Sequence, residues 1–340
     1  MMWFMPEGTY RALTPQVIVS AVERAYGITL DGTITPYPSY VNRVYGLRSD
    51  DGTRLVVKFY RPGRWTEDAI LEEHDFLREC AEAEIPVVAP LKGSSGHTLS
   101  EVSLNDEDDE AYLFALFPLA GGRNFDAEQD EQWFRLGGIV GRTHQVGKRH
   151  GAPNRLMCSP STLTAGYVDE LLNANLVHPE KRDEFEQVCR TTIDLIQPLF
   201  EDASMQRVHG DCHRGNILDR VDEGLLIIDF DDMMIGPPVQ DIWLLLPDYA
   251  HNCRRELLML LEGYEQFAAF ERRSLSLIEP LRFMRMIYFL AWQARQRDDF
   301  AFAERYPGWG TGAFWLREIE DLSTQFRVIS DHWTEDGILV

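Results

Sequence analysis

Positive charge is scarce in this chain of 340 residues: 33 Lys and Arg stand against 55 Asp and Glu, a formal charge of −22. Such a surface repels polyanions over most of its area, which argues against nucleic acid as a partner. ATP is not excluded, because a nucleotide needs only a local lysine, a divalent cation and backbone donors. Cysteine is sparse as well. Cys80, Cys158, Cys189, Cys212 and Cys253 show no Cys-x-x-Cys spacing and no even framework, which fits a reducing compartment better than a secreted one. No apolar run approaches the roughly 20 residues of a membrane span; the cluster Met286 to Trp292 is among the longest. The opening string Met1 to Pro6 is apolar but too short for a secretory signal, and no basic segment precedes it. A cytoplasmic protein with no membrane partner is the expectation. A Gly-x-Gly-x-x-Gly loop, an internal repeat and a low-complexity stretch are also missing.

What is present divides into a strand-rich part and a helix-rich part. Pro15 to Tyr26 reads as a helix. Tyr40 to Leu47, the turn Asp50-Asp51-Gly52 and Thr53 to Tyr60 read as a hairpin. From Thr66 to Ala83 the apolar period becomes helical, with Thr66 as cap and Glu67 and Asp68 in the favourable first turn. Pro86 and Pro90 bracket a short strand, Val87 to Ala89. Gly93 to Glu110 reads as a solvated loop with an acidic cluster at Asp106 to Glu110, and Ala111 to Phe117 as an apolar strand. Pro118 to Gly122 breaks the pattern. The division expected is 1–118 as a strand-rich nucleotide-binding lobe and 119–340 as a mainly helical catalytic lobe. In the second part, Asp126 with Gln129 suggests a capping box for a helix reaching about His144. Further helices are expected over Pro160–Ala174, Pro179–Phe200, Pro238–Tyr249, Arg254–Phe270, Leu275–Arg297 and Ala313–Phe326, with short strands at Ile217-Leu218 and Leu225–Ile228.

The chemistry-bearing string is His209-Gly210-Asp211-Cys212-His213-Arg214-Gly215-Asn216, followed by Ile227-Ile228-Asp229-Phe230-Asp231-Asp232. Asp211 and Asn216 lie five residues apart in one loop, and Asp229 ends an apolar strand 18 residues after Asp211. Phosphoryl transfer needs one carboxylate to orient a hydroxyl and accept its proton, and an amide and a second carboxylate to hold Mg²⁺. Asp211 fits the first task, Asn216 and Asp229 the second. Lys58, between apolar strand residues, can reach phosphates. Glu73 on the following helix is chosen as its partner, with Glu72 one residue away left open. Ser39, Asn42 and Arg43 occupy the turn where a phosphate-binding loop belongs, although Asn and Ser are also ordinary turn residues. His209 suits a structural bond to the backbone of the loop, and Asp241 a supporting role at a helix start. Two rivals remain open: His209, Asp211 and His213 with later carboxylates as a two-metal hydrolase, and Cys212 as a thiol nucleophile.

These strings carry a resemblance. His209 to Asn216 with Ile228 to Asp232 is similar to the catalytic core of the aminoglycoside phosphotransferase and choline kinase superfamily. A bacterial stress-response serine/threonine kinase family within it resembles the chain more closely, through Ser39 to Tyr45, Val56 to Pro62, Trp65, Ile70 to His74, Gly121 to Arg123, Asp231-Asp232, Gly236-Pro237, Gln240-Asp241 and Ile278 to Arg282. The resemblance implies an α+β, bilobal, protein-kinase-like fold, with a small antiparallel-sheet lobe carrying one long helix and a large mainly helical lobe. It implies ATP and Mg²⁺ as cofactors and transfer to Ser/Thr hydroxyls of proteins under stress, autophosphorylation included, by a monomer. Asp211 and Asp229 become active-site residues, with Asn216 and Asp229 on the metal. Ser39 and Lys58 contact the nucleotide, and Phe117 and Leu119 meet adenine through backbone groups. The span from Asp229 to Asp241 leaves no room for a long activation segment. That removes much of a peptide platform and keeps a small-molecule hydroxyl kinase, of the aminoglycoside, choline or homoserine kinase type, as the alternative. An inactive nucleotide-binding scaffold is a third possibility.

Overall fold

In the computed structural model the described residues are 10, 13–39, 41–103, 111–299 and 302–334. The opening apolar string, Tyr40 and the cluster Asp106 to Glu110 lie outside them. In chain order the helices are α1 (Pro15–Tyr26), α2 (Glu67–Glu82), α3 (Asp130–Gly147), α4 (Ala165–Asn173), α5 (Arg182–Glu201), α6 (Val239–Trp243), α7 (Arg254–Glu265), α8 (Ile278–Arg295), α9 (Phe302–Arg305) and α10 (Gly312–Thr334). The strands are β1 (Leu30–Tyr37), β2 (Arg43–Ser49), β3 (Arg54–Phe59), β4 (Ser100–Ser103), β5 (Ala111–Pro118), β6 (Arg123–Asn124), β7 (Gln206–Val208), β8 (Ile217–Arg220), β9 (Gly224–Ile227) and β10 (Met234–Gly236). Among the described residues no helix is long and apolar enough to cross a membrane.

The chain forms two units. The first joins residues 1–125, 152–155 and 215–233, and the second joins 126–151, 156–214 and 234–340. The first therefore takes in the β8–β9 hairpin as well as the strand-rich N-terminal part.

The first unit is built on an antiparallel sheet in the order β1-β2-β3-β5-β4. β1 was not expected, because Gly32 and Pro36 disguise it. It is an edge strand, where proline is tolerated, and its pairing with β2 slips between Leu30 and Ile34. β4 falls inside the stretch expected to be loop, and of the strand expected over 87–89 only a bridge from Val87 to Ile227 forms. Helix α1 starts where the Thr14 side chain accepts from Val17 N–H and stops where Gly27 adopts φ +65° and donates to Glu23 O. Ile18 and Val22 of α1 belong to one buried cluster with Val57, Phe59, Phe114 and Leu116 of the sheet. Strand alternation sends Lys58, between Val57 and Phe59, to the opposite face. There Tyr60, Ile70 of α2 and Ala115 form a second buried cluster. α2 is capped as expected, with Thr66 accepting from Ala69 N–H.

The second unit is mainly helical. α3 and α7 cross with backbones in contact: a Cβ on Gly137 would overlap Leu260 O, and one on Gly263 would overlap Phe134 O. The α3 cap differs from expectation. Gln129, not Asp126, is the cap, and Gln132 closes the box by accepting from the N–H groups of Glu128 and Gln129. The helix expected over 238–249 is only the short α6, and 272–277 is a tighter 3₁₀ stretch before α8. β7 and β10 pair antiparallel, Val208 opposite Met234.

Candidate active site

In the first unit the site begins with β3. Val44 and Ala115 flank Lys58 in register on either side. The lysine is buried, and its ammonium meets three carboxylates: Asp231 at 2.9 Å, Glu73 at 3.4 Å and Asp229 at 3.8 Å. Burial alone would pull the Lys58 ammonium down, but Asp231 and Glu73 push it well above the ordinary lysine value. Asp231 is the nearer partner. Burial opposes its ionisation, yet Lys58 and Arg64 hold its carboxyl below the usual range. Glu73 is the weaker partner, and burial keeps its carboxyl above the ordinary value despite Lys58. Its Oε2 is buried without a hydrogen-bond partner. The choice between two glutamates resolves geometrically: Glu73 faces Lys58, while Glu72 accepts from the backbone and side-chain amides of Asn154.

The β8–β9 hairpin brings the expected metal ligands together. Ile217 pairs with Ile227, and Ile228 N–H donates to Asn216 O at 3.0 Å. Asn216 immediately precedes β8 and Asp229 follows β9, so both stand at one end of the hairpin. Asp229 has φ +63°, a left-handed conformation that Asp tolerates better than most residues. Its side chain is 57% exposed, unlike that of Asp231 at 7%. The next residue, Phe230, packs edge-on against Phe76 of α2, with ring centroids 5.6 Å apart. An amide oxygen and an exposed carboxylate at one hairpin end suit Mg²⁺, which takes hard oxygen ligands and is typically bound through one or two protein groups plus phosphates and water. Among the described residues no group of three or more His, Cys, Asp or Glu side chains is arranged to hold a metal.

A buried arginine braces this end of the unit. Arg155 donates to Met233 O at 2.7 Å, to Asp231 O and to Ala69 O of α2, and its guanidinium lies 3.9 Å from the centre of the Trp65 ring. Arg64 binds Asp231 and Asp232.

In the expected nucleotide loop two of the three side chains are engaged within the turn. Asn42 is buried and its side-chain oxygen accepts from Arg61 N–H at 3.1 Å. Arg43 donates to Asn42 O and lies over the Tyr10 ring. Both side chains are thus engaged within the turn and its neighbours. Ser39 is half-buried between β1 and β2. Of the adenine-contacting pair, Phe117 lies opposite Val56 in the ladder, and Leu119 N–H donates to Arg54 O at 3.0 Å. The Leu119 N–H is therefore engaged within the sheet.

In the second unit the loop that carries Asp211 is held through its backbone. Asp241 is buried on α6 and accepts from His209 N–H at 2.8 Å, from Gly210 N–H at 2.9 Å and from His144 Nε2 at 2.8 Å. Burial would raise the Asp241 carboxyl, but these bonds and the two histidines hold it below the ordinary value. His144 is tied in turn to Tyr264 OH at 3.0 Å. His209 Nδ1 accepts from Asp211 N–H at 3.2 Å, and Gln240 donates to Gly210 O. The side chain of Asp211 is 18% exposed, with Arg285 of α8 2.6 Å from Oδ1 and His213 3.7 Å from Oδ2. Cys212 is buried, and burial pushes its thiol well up, which is unsuited to a nucleophile. His209 Nδ1 already serves the loop backbone, which leaves the two-metal hydrolase reading without its first ligand.

Sequence reasoning missed Arg64, Arg155 and Arg285, and it gave Asp231 a role only as a later carboxylate of the two-metal reading, not as the partner of Lys58. The string around Trp65 carried a signal without a role. Nothing local marks Arg285, 74 residues from Asp211.

Comparison with known proteins gives the family and the fold. The pattern of the phosphotransferase enzyme family matches residues 33–278. Stress response kinase A of Escherichia coli is 38% identical over 337 residues, covering 95% of each chain. A Salmonella typhimurium relative named serine/threonine protein kinase RdoA is 37% identical over 329 residues, again 95% of each. Among solved structures, an amicoumacin kinase in complex with AMP-PNP and Ca²⁺ superposes with TM-score 0.72 at 19% identity, covering 94% of each chain. A microcompartment-associated aminopropanol kinase superposes with TM-score 0.68 at 16% identity, covering 96% of this chain and all of that one. The expected fold class, a small antiparallel-sheet part and a larger mainly helical part of kinase-like type, is borne out, and so is the similarity to the stress response kinases. The chain belongs to the phosphotransferase enzyme family.

Proposed function

We propose that this chain transfers the γ-phosphoryl group of ATP to an alcohol hydroxyl, with Mg²⁺ as the metal. The observation that carries the reading is the buried Lys58, paired with Glu73 and Asp231 and 3.8 Å from Asp229, beside a hairpin end that also holds Asn216. Lys58 and Ser39 would bind phosphates. Asn216 and Asp229 would hold Mg²⁺, which would offset the charge developing on the phosphates. Asp211 would orient the acceptor. The hydroxyl oxygen forms a bond to the γ-phosphorus as the bond to the β,γ-bridging oxygen breaks. The hydroxyl proton passes to the Asp211 carboxylate, and ADP leaves. His209 and Asp241 would act by positioning the loop.

Two acceptors have support. A protein Ser/Thr hydroxyl is favoured by the printed name of the 37% identical Salmonella relative, and a part in stress response by the name of the Escherichia coli one. A small-molecule hydroxyl is favoured by more of the comparisons: the similar solved structures include kinases named for amicoumacin, aminopropanol and spectinomycin. The short stretch from Asp229 to Asp241, filled by β10 and α6, fits that second reading too. A cytoplasmic monomer goes with either. The test is incubation with γ-labelled ATP, Mg²⁺, extract proteins and a separate metabolite pool, beside Asp211→Ala. Label in protein Ser or Thr favours the first acceptor, and label confined to a metabolite favours the second. Label in neither, with intact ATP binding, would leave only the scaffold.

A further inference from the structure

Arg285 reaches the candidate catalytic carboxylate from the middle of α8, with Nη2 2.6 Å from Asp211 Oδ1. Its side chain is 30% exposed, and the guanidinium lies 4.8 Å from the centre of the Tyr288 ring one turn on. Three residues earlier, Arg282 is spent differently. It binds Glu279 at 3.0 Å and Asp248 O at 2.9 Å and lies over Trp243 and Tyr249. Arg285 thus stands where a hydroxyl must come to meet Asp211, and its guanidinium offsets the charge of that carboxylate.

A guanidinium carries five N–H donors in a rigid fork and pairs bidentately with carboxylate or phosphate. An acceptor bearing an anionic group beside its hydroxyl can bind those donors while the hydroxyl meets Asp211. An acceptor bearing an ammonium there meets a like charge and must compete with Arg285 for the same carboxylate. Further along the helix, Phe289 is exposed and stacks on Trp292 at 5.6 Å, so the nearest formal charge on this stretch of α8 is that of Arg285 itself.

Resting on the proposed phosphotransfer, we infer that Arg285 selects the acceptor: this site takes hydroxyl compounds with a neighbouring anionic group and rejects cationic ones. It is a positioning and specificity residue that acts beside Asp211.

The test uses the full chain with ATP and Mg²⁺ and acceptors that share a primary hydroxyl: glycolate, ethylene glycol and ethanolamine. A second arm uses short seryl peptides flanked by aspartate or by lysine, which separates small-molecule from protein hydroxyls. Transfer is followed by acceptor-dependent ADP release. The expected result is kcat/KM roughly tenfold higher for the anionic than for the cationic member in at least one arm, a ratio worth about 1.4 kcal/mol. Arg285→Gln should collapse that ratio to about twofold, Arg285→Lys should keep most of it, and KM for ATP should not change in either. A merely structural arginine would lower all acceptors together and leave the ratio standing, which overturns the inference. So does preference for the cationic acceptor, or no acceptor-dependent transfer in either arm. Asp211-dependent ATP consumption without acceptor reads the phosphotransfer itself: if it persists while the ratio fails, only the selection falls.

Discussion

Replacing Lys58 with methionine removes a buried cation of similar length and leaves its carboxylates behind. In the native unit the ammonium lies 2.9 Å from Asp231 and 3.4 Å from Glu73, with side-chain exposures of 11%, 7% and 2%. Asp231 retains Arg64 at 3.2 Å. Glu73 retains nothing comparable, since its Oε2 already has no hydrogen-bond partner. Removing one partner of a buried ion pair costs about 3–5 kcal/mol. At roughly 2–4 °C per kcal/mol, the melting transition of the first unit should fall by about 6–20 °C. The loss should depend on pH in a stated direction. Burial already raises the Glu73 carboxyl and Lys58 opposes that rise; without Lys58 the folded-state value climbs further. A carboxyl raised on folding contributes stability below its unfolded value and loses it as pH rises to the folded one, at up to about 1.4 kcal/mol per pH unit. Lys58→Met should therefore be milder at pH 5 than at pH 8, and adding Glu73→Gln should restore much of the loss. Calorimetry at both pH values, with chemical denaturation as a check, measures this. A melting change under 1 °C, or a double variant no better than the single, would refute the pairing as an energetic unit.

Other outcomes follow from the same contacts. Burial pulls His74 down to about 3, and its ring is bonded to Tyr60 and Thr98; its contribution is complete above the ordinary histidine value near 6.5 and is lost as pH falls from there toward 3, at up to about 1.4 kcal/mol per unit. His74→Gln should flatten that acid limb in denaturation curves taken from pH 7 to 4; an unchanged slope counts against it. Asp241→Asn leaves two loop N–H groups and His144 competing for one acceptor oxygen, so turnover should fall on the order of 100-fold with ATP affinity within about twofold, read by steady-state kinetics and calorimetric titration; equal turnover would show that the loop needs no such support. Asp229→Ala and Asn216→Ala should each weaken ATP binding in Mg²⁺ while leaving metal-free binding unchanged, and a loss equal with and without metal would refute their assignment.

How far the sequence was legible depended on the range of the interaction. α1 and α2 announced themselves through Pro15, Thr66 and an apolar helical period, all local signals. β1 and β4 did not, because an edge strand can carry Gly32 and Pro36, and a short polar strand depends on its neighbour β5. The common hairpin end of Asn216 and Asp229 follows from chain connectivity, because the short strands on either side are local signals. Glu73 could be told from Glu72 only once α2 had a fixed rotation over β3. Asp231 stands two residues beyond Asp229, and only the turn at Phe230 aims it at Lys58. Arg285 comes from α8, and no spacing in the chain predicts a partner 74 residues away. For Asn42 and Leu119 the sequence shows a chemistry suited to a nucleotide but not the bonds each already makes within the sheet or its turn.

The central claim is Asp211-dependent transfer of the γ-phosphoryl group, and phosphorus NMR of ATP and Mg²⁺ with the full chain tests it most directly. The account predicts loss of the γ resonance and growth of the ADP pair with wild-type protein. It predicts a rate at least about 1000-fold lower with Asp211→Asn, in line with the loss of a catalytic base and its orientation, while ATP binding is retained. Equal consumption by both proteins, or none by the wild type across acceptors that include a whole-cell extract, would contradict it.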